Sequence, residues 1–289
     1  MPTIPFVKGH GLGNDYLVLR EADLPAALSA SAVRRICDRN FGAGSDGILL
    51  LVPSTRASFG LRIFNPDGSE AEKSGNGLRI FAKFLWDHGL ARAERFTVEV
   101  GGEIVECICH PRDGRMNAVT VELGAATFAA EAIPMRGAAG EAVDVPLDVD
   151  GERLTITAVN VGNPHCVTFV DRLDEAVCRR LGPRIEQHPA FPRRTNVQFA
   201  RIAGEREVEI LIWERGAGYT LASGSSSCAV AAAAVRSGRC PSGAIRVAMP
   251  GGELSVEVRG DWTLRLEGPV EEVCTGVLTA EFVADYVGG

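Results

Sequence analysis

Two short strings in this chain combine residue types and setting that could do chemistry: Ser74-Gly75-Asn76-Gly77 and Ser223-Gly224-Ser225-Ser226. Each opens an apolar run of helical length, Leu78 to Trp86 in one and Cys228 to Val235 in the other. A helix N-terminus presents unbonded N–H groups and the positive end of the peptide dipole, and glycine lets an anion approach closely. Each opening could therefore hold a carboxylate. A lone string of this kind has an ordinary structural account, with Ser as N-cap and Gly as a packing accommodation. Here the device recurs 149 residues on, about half of the 289-residue chain, which favours binding and an internal duplication with one such helix per half.

Both runs are apolar nearly all round (Leu78, Ile80, Phe81, Ala82, Phe84, Leu85; Ala229 to Val235), so other elements must enclose them. Strands wrapped around a central helix, twice, is the architecture that follows. Alternating stretches at Phe96 to Val100, Val119 to Leu123, Val208 to Trp213 and Leu254 to Val258 supply strands with one wet face. Two more helices are expected, Ser31 to Asp38 behind a Ser cap and Asp174 to Leu181. The Ala- and Gly-rich stretch from Ala125 to Gly140 lacks periodicity and reads as a linker between the halves.

At roughly 150 residues per domain, the length gives about two domains. Hydrophobic residues at 46%, charged residues at 23% and a mean hydropathy of +0.07 place the chain among globular proteins and exclude disordered, collagenous or coiled-coil classes. A formal charge of −7, without a run of five like charges, provides no footprint for nucleic acid or an anionic membrane, so a small molecule is the favoured partner. The N-terminus has no basic segment leading into an apolar run, and no window of 18 uncharged apolar residues occurs. A soluble, cytoplasmic protein is expected. The eight cysteines lack disulfide-scaffold spacing and form no CxxC pair, so reduced and mostly buried thiols are expected. Cys107, Cys109 and His110 suggest a metal cluster only superficially, because residues i and i+2 of a strand share a face that His110 does not. Cys166 and Cys228 read as core, and no metal site is expected.

Further polar strings lie along the chain: Gly11-Leu12-Gly13-Asn14-Asp15, Phe64-Asn65-Pro66-Asp67-Gly68, Gly162-Asn163-Pro164-His165, Thr195-Asn196 and Glu214-Arg215-Gly216-Ala217-Gly218. Singly, each is ordinary turn chemistry. Together the stretches GHGLGNDYLVL, RIFNPDGSEAEKSGNGLRIFAKFL, VGNPHCV, TNVQF and WERGAGYTLASGSSSCAVAAAAV resemble the diaminopimelate epimerase family, in the same order and over almost the entire chain. The resemblance implies an α+β fold of two pseudo-symmetric domains, each a mixed β-sheet or barrel around a central helix. Residues 1–123 with 268–289 would form one and 124–267 the other, with the active site in the cleft between them. It also implies a small amino-acid substrate, no pyridoxal phosphate or metal, and conversion of LL- to meso-diaminopimelate. In the family, two cysteines at the heads of the central helices carry the proton from one face of the α-carbon to the other. Homodimers are common in that family.

Carried over residue by residue, Asn14, Asn65, Asn163, Asn196 and Arg215 are the recognition set, with Gly75-Asn76 and Gly224-Ser225 for the α-carboxylate. His165 and Glu214 match the groups that flank and activate the two thiols. Ser74 and Ser223 occupy the two cysteine positions, Tyr219 stands where the family usually has Glu, and Gly47 where many members have Gln. A serine hydroxyl ionises far less readily than a thiol of ordinary pKa about 8.5. Losing a matched acid or base lowers a rate by about 10²–10⁴ per partner, so efficient epimerisation is not expected of two bare serines. Three readings stay open at this point. The serines could be exchanges made to trap substrate, against which Tyr219 argues. A diverged paralogue could catalyse another proton-shift isomerisation, a dehydration or an easier racemisation, with Ser74 or Ser223 primed by His165 or Glu214. A non-catalytic amino-acid-binding protein is the third. Asp46, Glu70 and Glu72 read as solvated turn charges, and His10 and Asp15 stay unassigned.

Overall fold

Strand alternation and tight turns dominate the fold, and helices are few. The structure is a computed structural model that describes residues 2–112 and 115–287. The chain divides into two compact units, Met1–Val121 with Gly268–Gly289, and Glu122–Glu267. In chain order the first unit holds β1 (Ile4–Gly11), β2 (Asn14–Arg20), α1 (Ala30–Cys37), β3 (Ile48–Val52), β4 (Phe59–Phe64), β5 (Glu70–Ala71), α2 (Gly75–Asp87), β6 (Arg95–Val100) and β7 (Glu103–Arg112). Strand β8 (Arg115–Ala125) leads into the second unit. There follow β9 (Val145–Val149), β10 (Glu152–Asn160), β11 (Pro164–Phe169), α3 (Glu175–Glu186), β12 (Asn196–Gly204), β13 (Glu207–Glu214), β14 (Gly218–Thr220), α4 (Gly224–Arg236), β15 (Gly243–Met249), β16 (Gly252–Val258) and β17 (Thr263–Pro269). The chain ends on β18 (Glu271–Leu278) and α5 (Ala280–Val287) in the first unit.

The two units repeat one plan. In the first, β2 runs parallel to β3, β3 antiparallel to β4, β4 parallel to β6 and β6 antiparallel to β7. In the second, β11 is parallel to β12, β12 antiparallel to β13, β13 parallel to β15 and β15 antiparallel to β16. Helices fall at matching places, α1 and α3 before the second strand of each set, α2 and α4 after the short hairpin that follows the third. The central helices are the enclosed ones. α2 packs on β1, β2, β7 and β18, and α4 on β10, β11, β12, β13, β15 and β16. Residues Cys228 to Ala234 of α4 are wholly buried, which explains the run of alanines: a helix walled in by six strands has room for little more than a methyl group.

Strand alternation divides each sheet between two helices. Leu17 and Leu19 of β2 join Val33 and Ile36 of α1 and Val283 of α5 in one cluster, whereas Asn14, Tyr16 and Val18 take the face turned to α2. Likewise Val197 and Phe199 of β12 pack with Leu181 and Ile185 of α3, leaving Asn196 and Gln198 on the α4 face. Both central helices end alike, in a glycine of left-handed backbone, Gly89 (φ 69°) and Gly238 (φ 72°), whose N–H groups bond back to Trp86 and Val235.

Several expectations are corrected. The stretch from Ala125 to Gly140 is not a free linker: bridges Thr127–Asn160 and Ala129–Glu141 pin it, and Phe128, Ala130 and Ile133 are buried in the second unit. α3 runs through Gly182-Pro183 to Glu186 rather than stopping at Leu181, because Leu181 and Ile185 both sit in the core and Gly182 lies flat against Trp213. α1 begins one residue early, at Ala30, behind the Ser29 cap, which accepts from Ala32 N. The C-terminal α5 has no sequence expectation behind it. All eight cysteines are free thiols and seven are buried, Cys274 being exposed. Among the described residues no helix is long and apolar enough to cross a membrane.

Candidate active site

In the first unit, Ser74 is the N-cap of α2, with extended backbone (φ −142°, ψ 119°) and Oγ accepting from Gly77 N at 3.0 Å. The tip of the helix is tied to β2 by side-chain amides. Asn76 Nδ2 donates to Asn14 Oδ1 (3.1 Å), and Asn14 Nδ2 donates to Asp46 Oδ2 (3.0 Å). From within the helix, Arg79 Nη2 donates to Asn76 Oδ1 (2.8 Å) and Nη1 to Gly75 O (3.2 Å). Arg79 is wholly buried, so a fixed cation lies beneath the first turn and adds to the attraction that the helix end exerts on an anion. Asp46 is no solvated turn charge. It anchors Asn14 and Asp15 N and is held by Arg39, which also binds Asp15. Burial pushes the Asp15 carboxyl up, but hydrogen bonds from Arg39 and Lys8 outweigh it and leave the group below its ordinary pKa. Glu70 is paired with Arg62. Asn65 stands apart from this cluster, its Nδ2 bonded to Ser69 Oγ (2.9 Å) inside its own turn.

The corresponding tip in the second unit is Ser223 at the head of α4, 6% exposed, with Ser226 N at 3.4 Å and Ser225 Oγ at 3.5 Å from its Oγ. Glu214, the last residue of β13, lies near enough for the Ser223 hydroxyl to favour its charged form. Burial pushes the Glu214 pKa up, and the Ser223 hydroxyl only partly offsets this. A carboxyl of raised pKa beside a hydroxyl at a helix N-terminus can exchange a proton through that hydroxyl.

His165 has a different setting. Its ring is wholly buried, with Nε2 2.8 Å from Asn163 Oδ1 and Nδ1 3.0 Å from Gln198 Nε2, which also donates to Ser226 Oγ (3.0 Å). With Gln198 donating, Nδ1 is an acceptor and the ring proton sits on Nε2, directed at Asn163. Burial pulls the imidazole pKa down to about 3, and the Arg215 charge adds to the effect. The ring is therefore neutral at physiological pH and both nitrogens are occupied, one of them by Asn163. Asn196 joins two further elements: its Nδ2 donates to Pro164 O (3.0 Å) and its Oδ1 accepts from Arg215 N (3.0 Å). The exposed Arg215 side chain reaches Arg193 O (3.1 Å). Buried Glu186 fixes the loop that carries it, accepting from Trp213 Nε1 (2.7 Å), Gly216 N (3.0 Å) and Arg194.

The fold thus brings Asn14, Ser74, Gly75 and Asn76 into one cluster, and Glu214, Ser223, Gly224 and Ser225 into another. Gln198 links His165 and Asn163 to the first turn of α4. Tyr16, Arg79, Gln198 and Glu186 had no place in the sequence expectation. For two of them a signal existed, since Tyr16 and Gln198 lie two residues beyond Asn14 and Asn196 and so share their strand faces.

The sequence model of the family described as diaminopimelate epimerase matches residues 6–129 and 157–273. The chain is 47% identical over 280 residues to diaminopimelate epimerase 2 of Nostoc sp., covering 96% of this chain and 97% of that protein. It is 42% identical over 274 residues to the diaminopimelate epimerase of Pelotomaculum thermopropionicum, covering 94% and 97%. The chain belongs to the diaminopimelate epimerase family. Among solved structures, a hydroxyproline epimerase from Agrobacterium vitis with bound trans-4-hydroxy-L-proline superposes with a TM-score of 0.71 at 15% identity, covering 96% of this chain and 93% of that one. Methylitaconate-delta-isomerase superposes with a TM-score of 0.70 at 15% identity, covering 99% and 97%. At such identities these two likenesses speak to the fold alone.

Ser74 and Ser223, which the resemblance sets at the two cysteine positions, each cap a central helix. Tyr219 turns to α3 instead: its hydroxyl donates to Glu175 Oε2 (3.3 Å) and the Arg179 guanidinium lies 4.1 Å over its ring.

Proposed function

We propose that the chain is an amino-acid isomerase of the diaminopimelate epimerase type, interconverting LL- and meso-diaminopimelate in the cytoplasm by two-base proton transfer without a cofactor. The reading rests above all on membership of the family together with the two buried central helices, each capped by a serine, Ser74 and Ser223. In this reading, Ser223 and Glu214 form one proton-transfer arm and Ser74 belongs to the other. The N–H groups of Gly75, Asn76, Gly224 and Ser225 take the α-carboxylate and stabilise the negative charge that develops as the Cα–H bond breaks. Asn14, Asn65, Asn163, Asn196 and Arg215 recognise the distal amino-acid end, with His165 holding Asn163.

A second reading is favoured by one observation, the hydroxyls where the family carries thiols: a paralogue whose substrate has a more acidic C–H, isomerised by a 1,3-proton shift or dehydrated. Turnover in deuterated water separates the two. Incubation with LL- or meso-diaminopimelate is expected to give deuterium at Cα together with inversion. Tight binding of diaminopimelate without exchange would leave only a binding protein, and neither binding nor exchange would turn attention to the second reading.

A further inference from the structure

We propose that Tyr16 is the acid–base partner of Ser74, passing protons to and from the substrate through the Ser74 hydroxyl. The inference rests on the epimerase reading above and supplies the arm that reading leaves incomplete. Tyr16 lies on β2, two residues after Asn14 and on the face turned to α2, with its side chain buried at 7% exposure. Its phenol oxygen is 3.4 Å from Ser74 Oγ. Ser74 Oγ accepts from Gly77 N and keeps a second lone pair, with which it can accept the Tyr16 phenol proton.

Room for the ring is made at a specific place. A Cβ at Gly47 would lie 2.4 Å from Phe64 O, 2.8 Å from Tyr16 Cε1 and 3.1 Å from Cδ1, so the Phe64 carbonyl and the Tyr16 ring together hold residue 47 to glycine. The phenol answers the problem that a bare serine poses, since it has an ordinary pKa of about 10 and holds a transferable proton at neutral pH.

The step balances as follows. On one arm, ionised Glu214 takes the Ser223 proton as Ser223 takes the proton of Cα, and the C–H electron pair stays on the substrate as a carboxylate-stabilised carbanion. On the other, Ser74 gives its proton to the carbanion and receives one from Tyr16, which becomes phenolate. The proton returns from Glu214 to Tyr16 through solvent after product leaves.

The decisive experiment compares Cα deuterium incorporation with inversion in wild type, Tyr16→Phe and Tyr16→Phe/Ser74→Cys, starting from each diaminopimelate isomer in turn. Tyr16→Phe is expected to keep exchange from the isomer that the Glu214 arm deprotonates, while inversion falls roughly 10²-fold. Diaminopimelate affinity by calorimetry should stay the same. Adding Ser74→Cys should restore inversion, because a thiol brings its own proton. Inversion unchanged in Tyr16→Phe would overturn the proposal. So would a proportional loss of exchange and inversion that Ser74→Cys does not repair, which is the mark of a merely structural tyrosine. A wild-type protein that binds no diaminopimelate and exchanges nothing would instead sink the epimerase reading and the inference together.

Discussion

At the scale of single residues, side chains of similar appearance in the sequence prove to have opposite physical states. His165 and Glu214 look like a pair of matched activators, yet burial removes charge from the first and moves the second toward holding a proton. The motifs singled both out as candidate site residues. Their states were not, because both depend on partners from other strands, Gln198 and Asn163 for the ring and Ser223 for the carboxyl. The imidazole has a consequence for stability. Its folded pKa is depressed to about 3 from an ordinary 6.5, so its contribution is full above pH 6.5 and is lost as pH falls toward 3, where the unfolded chain binds a proton that the folded one refuses. Unfolding free energy should fall by up to roughly 1.4 kcal/mol per pH unit from this group between pH 6.5 and 5. Asp15, whose carboxyl pKa is lowered, adds its own loss only further down, below about pH 4. Urea titrations of wild type and His165→Gln at half-unit intervals test this. The slope should flatten in the variant, whatever its absolute stability, and an unchanged slope would mean that the ring is not held neutral.

At the scale of elements, what could be read in advance was whatever a helix or strand settles within itself. Ser caps and apolar runs located α2 and α4, and alternation located β6, β8, β13 and β16. Elements decided by packing were misread or absent. Gly182-Pro183 looks like a helix stop, but the buried side chains on either side hold α3 together across it. The Ala- and Gly-rich stretch after β8 has no period because it follows the shape of a core rather than a regular element. α4 offers the sharpest check on enclosure. Ala232 is wholly buried in a helix walled by strands, so Ala232→Leu must displace backbone or neighbours. The change should destabilise the protein by about 1–3 kcal/mol in chemical denaturation. A neutral effect would show that α4 is less tightly enclosed than its alanines indicate.

At the scale of the whole molecule, one supersecondary plan used twice explains why a single polar device appears 149 residues apart, and why order and motif alone led to the family. The repeat does not extend to the chemistry attached to each copy. One Ser-capped helix has a carboxyl beside its hydroxyl, the other a phenol. On the proposed mechanism each proton passes through a hydroxyl that cannot itself hold the charge, and a double variant bears directly on that limit. Ser74→Cys/Ser223→Cys changes one atom at each helix head and leaves the amide clusters intact. A thiol of ordinary pKa about 8.5, lowered by the helix N-terminus, is partly ionised near neutrality. Epimerisation should therefore rise by roughly 10²-fold or more, with a rate that climbs as the thiols ionise and no longer depends on Tyr16. Each exchange also removes a serine N-cap, so stability should fall by about 0.5–2 kcal/mol per site. Should the double variant bind diaminopimelate as tightly as wild type and turn it over no faster, positions 74 and 223 would not carry the proton, and the carboxyl and phenol would have to reach the substrate without them.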